Sequence, residues 1–354
     1  MRLAAGTLLA HASLAKSQCE AGSRVSQVQL SGGERAASFA RLLTRFFTLV
    51  ALAAITGLLL GMLGRYSWVL DLFSHLQVHY IVALTVSALA LLALRHWRSA
   101  VLALAAALAA CIPTFDYMPS ETSASDAPSF KAISFNVWFR QRDQSAAVAY
   151  LESSGADVVV LQEISESQAI SISPRLKSYP HAYVQGADES DTVLFSKWPI
   201  LSATTEKLAP DGVSAIRSII DWRGQQITLI AVHLHWPIGP VSSRRRNAEL
   251  AGLSRLAQPL EEPLIILGDL NVTPWSSHFK TLTDTFGLDD CAAGHGLNPT
   301  WPSHILPLGI RIDHCLATTH WNTVRVWTGP HLGSDHRPMG AEMQLKDWSD
   351  EVTK

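Results

Sequence analysis

The feature that most restricts this chain lies in its first third. Residues 46–63 read FFTLVALAAITGLLLGML, an apolar run long enough to cross a bilayer core about 30 Å thick. Two more follow, at about 78–94 (VHYIVALTVSALALLAL) and about 99–113, the latter Ala-rich, short and closed by Pro113. Any one of them could be a buried core helix. Three in close succession, separated by short polar turns, predict three transmembrane helices within 41–115. They also account for a hydrophobic content of 48%, above the usual balance of a soluble chain.

Orientation follows from the basic residues. Arg35, Arg41 and Arg45 precede the first run, and Arg95 and Arg98 sit between the second and third. Asp116, Glu121 and Asp126 follow the third with no base before Lys131. Basic flanks stay in the cytoplasm, so the N-terminus and second loop belong inside and the rest of the chain outside, as in an integral protein of a bacterial-type inner or plasma membrane. Arg65 runs against this arrangement. Residues 1–40 read as a polar tail, and 116–129, rich in Ser, Thr, Pro and acids, as a linker.

Residues 130–354 alternate strand and helix patterns. Strands are expected at FKAISFNVW, DVVVLQE, TVLFS, SAIRSIIDW, QQITLIAVHLHW and PLIIL, and WRGQQ marks a hairpin. Between the last two, SSRRRNAELAGLSRLAQPL spaces Leu250, Leu253 and Leu256 as a helix would. This order predicts two sheets packed face to face under flanking helices. Residues 130–354 carry 19 Lys plus Arg against 24 Asp plus Glu. That balance lacks the basic footprint of a nucleic-acid-binding domain.

The strand ends carry polar residues out of keeping with the strands themselves: Asn136, Glu163, the pair His233 and His235, the pair Asp269 and Asn271, Asp313, and Asp335 with His336. A carboxylate inside or ending an apolar strand is costly unless paired or metal-bound. Singly, each fits a turn, a cap or a bulge; six such places in one domain do not.

The ordered set SFNVW, LQE, VLFSKWPI, VHLHWP, GDLNVTPW, IDH and SDHRP resembles the endonuclease/exonuclease/phosphatase superfamily, the deoxyribonuclease-I-like metal-dependent phosphoesterases, from about residue 130 to about 345. The resemblance implies a four-layer α/β sandwich, here preceded by an N-terminal transmembrane region, whose strand ends converge on a phosphate held by Mg²⁺, with Mn²⁺ as a substitute. It assigns Glu163, Asn136 and Asp335 to the metal, Asp269 to the attacking water, Asn271 and His233 to the phosphate, and His336 to acid/base work with Asp313 fixing its tautomer. Whether Asp269 or His336 takes the water's proton stays open. Phosphoester hydrolysis needs such a set: a cation for the phosphate charge, an oriented water and a proton donor for the leaving oxygen.

His235 is expected to shape the substrate pocket with Trp236. An i, i+2 histidine pair on a strand also suits zinc, so a zinc-dependent hydrolase is one alternative. The run Arg244, Arg245, Arg246 reads first as a solvated face; Arg244 is the candidate for a second phosphate or an anionic headgroup. A catalytically inactive binding module of the same fold is the other alternative. The expected substrate is a phosphoester (lipid, small phosphoester or nucleic acid), and the only other partner is the lipid bilayer; the sequence implies no protein partner. Of four cysteines, Cys291 and Cys315 are the one pair within the domain able to bridge.

Overall fold

The computed structural model describes residues 32–120, 125–184, 191–258 and 262–348. Most of the expected tail, with Cys19, lies outside them.

Helix α1 spans Gly32–Gly61 and begins ahead of the apolar run itself. A 3₁₀ turn, Gly64–Tyr66, leads into the short helix α2 (Trp68–Ser74), and α3 (Gln77–Ala93) and α4 (Trp97–Cys111) follow. Two helical segments, Gly33–Gly61 and Trp97–Tyr117, are long and apolar enough to cross a membrane. The pair α2 and α3, bent by 58°, forms a third candidate. The core of this bundle is built from Ala51, Ala54, Ala88, Ala103 and Ala107 around Leu84. Larger side chains such as Phe46, Leu52, Leu89 and Leu108 point outward and are exposed. Small residues inside and large apolar ones outside invert the packing of a water-soluble bundle and match helices that associate within lipid.

The remainder is an α/β sandwich. The first sheet holds β1 (Ser129–Asn136), β2 (Val158–Gln162), β3 (His181–Val184), β4 (Val193–Ser196), β11 (Trp321–Thr328) and β12 (Met339–Leu345), in the order β11-β12-β1-β2-β4-β3. The second holds β5 (Ile200–Lys207), β6 (Ser214–Trp222), β7 (Gln225–His233), β8 (Leu264–Asp269), β9 (Asp289–Asp290) and β10 (Asp313–Ala317), in the order β5-β6-β7-β8-β10-β9. The two sheets meet in one core that includes Phe130, Trp222 and Trp321, whose rings meet edge-on or tilted with centroids 5.4–6.3 Å apart. Truncating Phe130 to Ala there would cost about 3–5 kcal/mol. Outer clusters seat α5 (Ser145–Ser154) and α6 (Glu166–Ile172) on the first sheet, and α7 (Pro240–Leu256) and α8 (Ser277–Phe286) on the second. These are the four layers expected.

The topology places the polar strand ends together. β1 runs parallel to β2, and β7 to β8. The last residues of these four strands therefore emerge at one edge of the sandwich. β10 and β12 run antiparallel to β8 and β1, so their first residues reach that same edge; Asp313 lies directly across from Asp269. Gly268, with φ 159°, makes the β7–β8 approach possible, since a Cβ there would meet the Val232 carbonyl oxygen at 1.8 Å.

The stretch after α4 is hydrogen-bonded along the domain. Gly294 N–H donates to the Asp116 carbonyl (2.7 Å), Gly296 N–H to the Tyr117 carbonyl (2.9 Å), and Ser120 N–H to the Gly294 carbonyl (3.0 Å). Further on, the Gln344 side chain binds both sides of Ser125. A composition typical of linkers is compatible with this, because most of these bonds are made by main-chain groups.

Candidate active site

Asp269 is the hub. Its side chain is 1% exposed, and its Oδ1 accepts from the Asn271 main-chain N–H at 2.9 Å. Its Oδ2 accepts from Asn136 Nδ2 at 3.2 Å and faces Nε2 of both His233 and His336 at 3.7 Å. Those last two distances exceed a direct hydrogen bond and leave both imidazole nitrogens open toward the site. Burial and the neighbouring Asp313 carboxylate push the Asp269 pKa up to about 6, against the pull of His336 and His233.

Each histidine is set by a carboxylate behind it. Asp313 Oδ2 accepts from His336 Nδ1 at 2.9 Å with both side chains buried, which fixes the tautomer with Nε2 toward Asp269. Burial favours the neutral ring, but Asp313 and Asp269 outweigh it and raise the His336 pKa to about 9. His233 Nδ1 lies 2.9 Å from Asp191 Oδ2. Burial again opposes the charge; Asp191, then Asp269 and Glu163, carry the pKa up to about 10. The sequence reading missed Asp191. It stands just before β4, which runs antiparallel to β2, so the start of that strand, not its end, reaches the site.

Asn136 links the two sheets: its Nδ2 also donates to Glu163 Oε1 at 3.0 Å, while its Oδ1 accepts from the Trp138 N–H. The amide therefore holds two carboxylates in place and offers a cation only its remaining lone pair. Trp138, Glu163 and Asn271 all have left-handed backbone, at φ 60°, 52° and 50°, and such strained exits concentrate at functional sites. The Asn271 side chain donates to the Leu234 carbonyl at 2.9 Å, leaving one amide proton for another acceptor. Asp335 Oδ2 accepts from Trp301 Nε1 at 3.3 Å.

The pair His233 and His235 does not converge. His235 Nδ1 contacts the buried Glu249 carboxylate at 2.6 Å, whereas His233 belongs to Asp191 and Asp269, so a two-histidine zinc site is not assembled. The arginine run also divides: Arg244 and Arg245 are exposed, and Arg246 is fully buried.

The donor set fits a divalent cation. Asp313 Oδ1 and Asp335 Oδ1 are buried with no hydrogen-bond partner among the described residues, the condition a cation relieves. Asp269, Asp313 and His336 offer ligand atoms within 4.8 Å of one another.

The family model described as Endonuclease/Exonuclease/phosphatase family matches residues 133–336, and this chain belongs to that family, whose members are generally divalent-metal-dependent hydrolases of phosphoesters. Among solved structures, an endonuclease/exonuclease/phosphatase from Beutenbergia cavernae is 19% identical with a TM-score of 0.53, covering 61% of this chain and 72% of that one. A family protein from Bacteroides thetaiotaomicron is 17% identical, TM-score 0.52, with coverages of 63% and 100%. D. rerio TDP2 in complex with a single-strand DNA product is 17% identical, TM-score 0.50, with coverages of 61% and 99%. Likenesses at this identity establish the fold alone. No curated protein matches the chain.

Proposed function

We propose that this chain is a membrane-anchored, Mg²⁺-dependent phosphoesterase whose catalytic domain lies outside the cytoplasm and hydrolyses a phosphodiester or phosphomonoester by attack of water. The observation that carries it is the buried Asp269 carboxylate flanked by two histidines, each with its own carboxylate. At neutral pH a carboxyl with a pKa of about 6 is mostly ionised and imidazoles near 9 and 10 are protonated. Asp269 is thus the base that takes the water's proton, and His336 the acid that returns one to the leaving oxygen. His233 and the free amide proton of Asn271 bind the charge developing on phosphorus oxygens.

Glu163 and Asp335 would hold Mg²⁺, with Asn136 positioning Glu163, because Mg²⁺ takes few carboxylates and little nitrogen. Once bound it would neutralise phosphate charge. Asp269, Asp313 and His336, although their ligand atoms lie within 4.8 Å of one another, are left for proton transfer, because the imidazole held between the two carboxylates is protonated and cannot ligate a cation.

Three spans are supported by the ends of the helices. The α2 turn and the end of α4 both contact the catalytic domain, which puts Arg95 and Arg98 at the far end with the N-terminal arginines, as the basic-flank rule requires. For the substrate, the site's rim favours an amphiphile or a small phosphoester. Phe139, whose N–H donates to Glu163, and Trp236 and Trp301 beside the site are exposed at 59%, 66% and 39%. The TDP2 complex keeps single-stranded nucleic acid as the other candidate.

The test uses the detergent-solubilised full chain with bis(p-nitrophenyl) phosphate, phospholipid vesicles and a single-stranded oligonucleotide. Hydrolysis with Mg²⁺ or Mn²⁺ that chelator abolishes, and that Glu163→Gln lowers at least a hundredfold, is the expected result. Full activity in excess chelator, or rescue by Zn²⁺ alone, refutes it.

A further inference from the structure

The loop that carries Asn271 is held from the membrane side. Asp71, on the short helix α2, and Arg246, on α7, are both fully buried, and their side chains meet at 2.6 Å across 175 residues of sequence. Arg246 uses a different nitrogen, Nη1, to donate to the Asn271 main-chain carbonyl at 3.0 Å. The other Asp71 oxygen accepts from Ser276 Oγ at 2.6 Å, and His75 Nδ1 contacts Thr273 Oγ1 at 2.9 Å. From the 3₁₀ segment that follows α4, Tyr117 packs edge-on against Trp275 with ring centroids 5.2 Å apart. Three residues of one six-residue loop, Thr273, Trp275 and Ser276, are thus reached directly by residues that precede the catalytic domain, and Asn271 is reached through Arg246.

A tether that only kept the domain near a membrane would need none of this. A buried aspartate and arginine are costly to desolvate, and a long exposed linker would do the same task more cheaply. The connection leads into the site in two bonds: Arg246 fixes the Asn271 carbonyl, and the N–H of that same residue fixes Asp269 Oδ1. Asn271 holds a left-handed backbone at φ 50°, a conformation that persists only where its surroundings enforce it.

We infer that the membrane region is part of the catalytic apparatus, with Asp71 and Arg246 as positioning residues that act through Asn271 on Asp269. Neither touches substrate. Their effect falls on the geometry of the loop, so it shows in turnover and not in substrate affinity. The consequence is that the domain separated from α2 carries an unpaired buried Arg246 and an unrestrained loop, and is a poorer catalyst than the whole chain.

This inference rests on the proposed function for its kinetic part and on geometry alone for its structural part, and the experiment keeps the two apart. The full chain, Asp71→Asn, Arg246→Lys and the double variant Asp71→Asn with Arg246→Lys are compared by hydrogen–deuterium exchange and with bis(p-nitrophenyl) phosphate plus Mg²⁺. Lysine keeps a cation against Asp71 but cannot also bridge to the Asn271 carbonyl, so it carries the test if Asp71→Asn fails to fold. Expected are faster exchange over 269–276 with β1 and β7 unchanged, kcat lower by about tenfold at unchanged KM, and little further loss from Asp71→Asn once Arg246 is already Lys. Unchanged exchange in that loop overturns the inference, as does an equal fold-loss in both Arg246 backgrounds. If the parent hydrolyses no phosphoester, the proposed function falls, and the exchange data still decide whether the membrane region holds the loop.

Discussion

Asp313→Asn is the substitution that most directly tests the division of labour at the site. The carboxylate lies 2.9 Å from His336 Nδ1 in a fully buried position, and together with Asp269 it lifts the histidine from an ordinary 6.5 to about 9. At 1.36 kcal/mol per pKa unit that difference is worth ~3 kcal/mol in favour of the imidazolium. Should the pKa fall back to 6.5, only about one imidazole in thirty remains protonated at pH 8. An asparagine that can also stabilise the wrong tautomer adds to the loss, for a fall of about a hundredfold in turnover. The same change removes a carboxylate that raises the Asp269 pKa. The parent's kcat/KM should therefore rise through about pH 6 and fall through about pH 9, and in the variant both limbs should move to lower pH. Stability follows the sign of the histidine shift: a folded-state pKa above the unfolded value stabilises fully below about 6.5, and the contribution vanishes as pH rises through about 9. The parent's advantage in thermal midpoint from this pair should thus shrink above pH 9. A pH–rate profile whose alkaline limb stays near 9 in a folded Asp313→Asn, or an activity loss that tracks unfolding alone, refutes the reasoning.

Three further outcomes are expected. Asp191→Asn removes the partner that keeps His233 charged, so turnover of the model phosphodiester should drop about tenfold and the alkaline limb should steepen; an unchanged profile would show that His233 does not serve the phosphate. A reporter active only outside the cytoplasm, fused after Lys354, should be active, and a cytoplasmic signal would reverse the proposed orientation. In that setting Cys291 and Cys315, whose buried sulfur atoms lie 2.8 Å apart and unbridged here, should be recovered cross-linked.

What the sequence made legible, and what it hid, divides along one physical line. Strands that end at the site announce themselves, because a polar residue after an apolar run breaks a period of two: Asn136, Glu163, His233 and Asp269 are all of this kind. Strands that begin at the site are harder to see. Asp313 and His336 stand out beside their apolar strands but take roles only from the family resemblance, and Asp191, just before β4, was not read at all, since an acid before a strand looks like ordinary turn chemistry. β5 and β11 also went unread, because their largely half-exposed residues give no apolar run. The arginine run shows the same limit on a helix. Leu250 and Leu253 mark the buried stripe of α7, and stepping back four residues from each reaches Arg246 and Glu249, both fully buried. The periodicity therefore did place two charges on the inner face of this helix, just after a solvated Arg244 and Arg245. Composition argued for a surface run, and only the partners could decide: Glu249 meets His235, two residues past the end of β7, while Arg246 meets Asp71, which comes from a helix 175 residues away. A local pattern can say that a charge is buried. Which distant element neutralises it depends on how the N-terminal helical bundle docks, and no spacing within the catalytic domain encodes that.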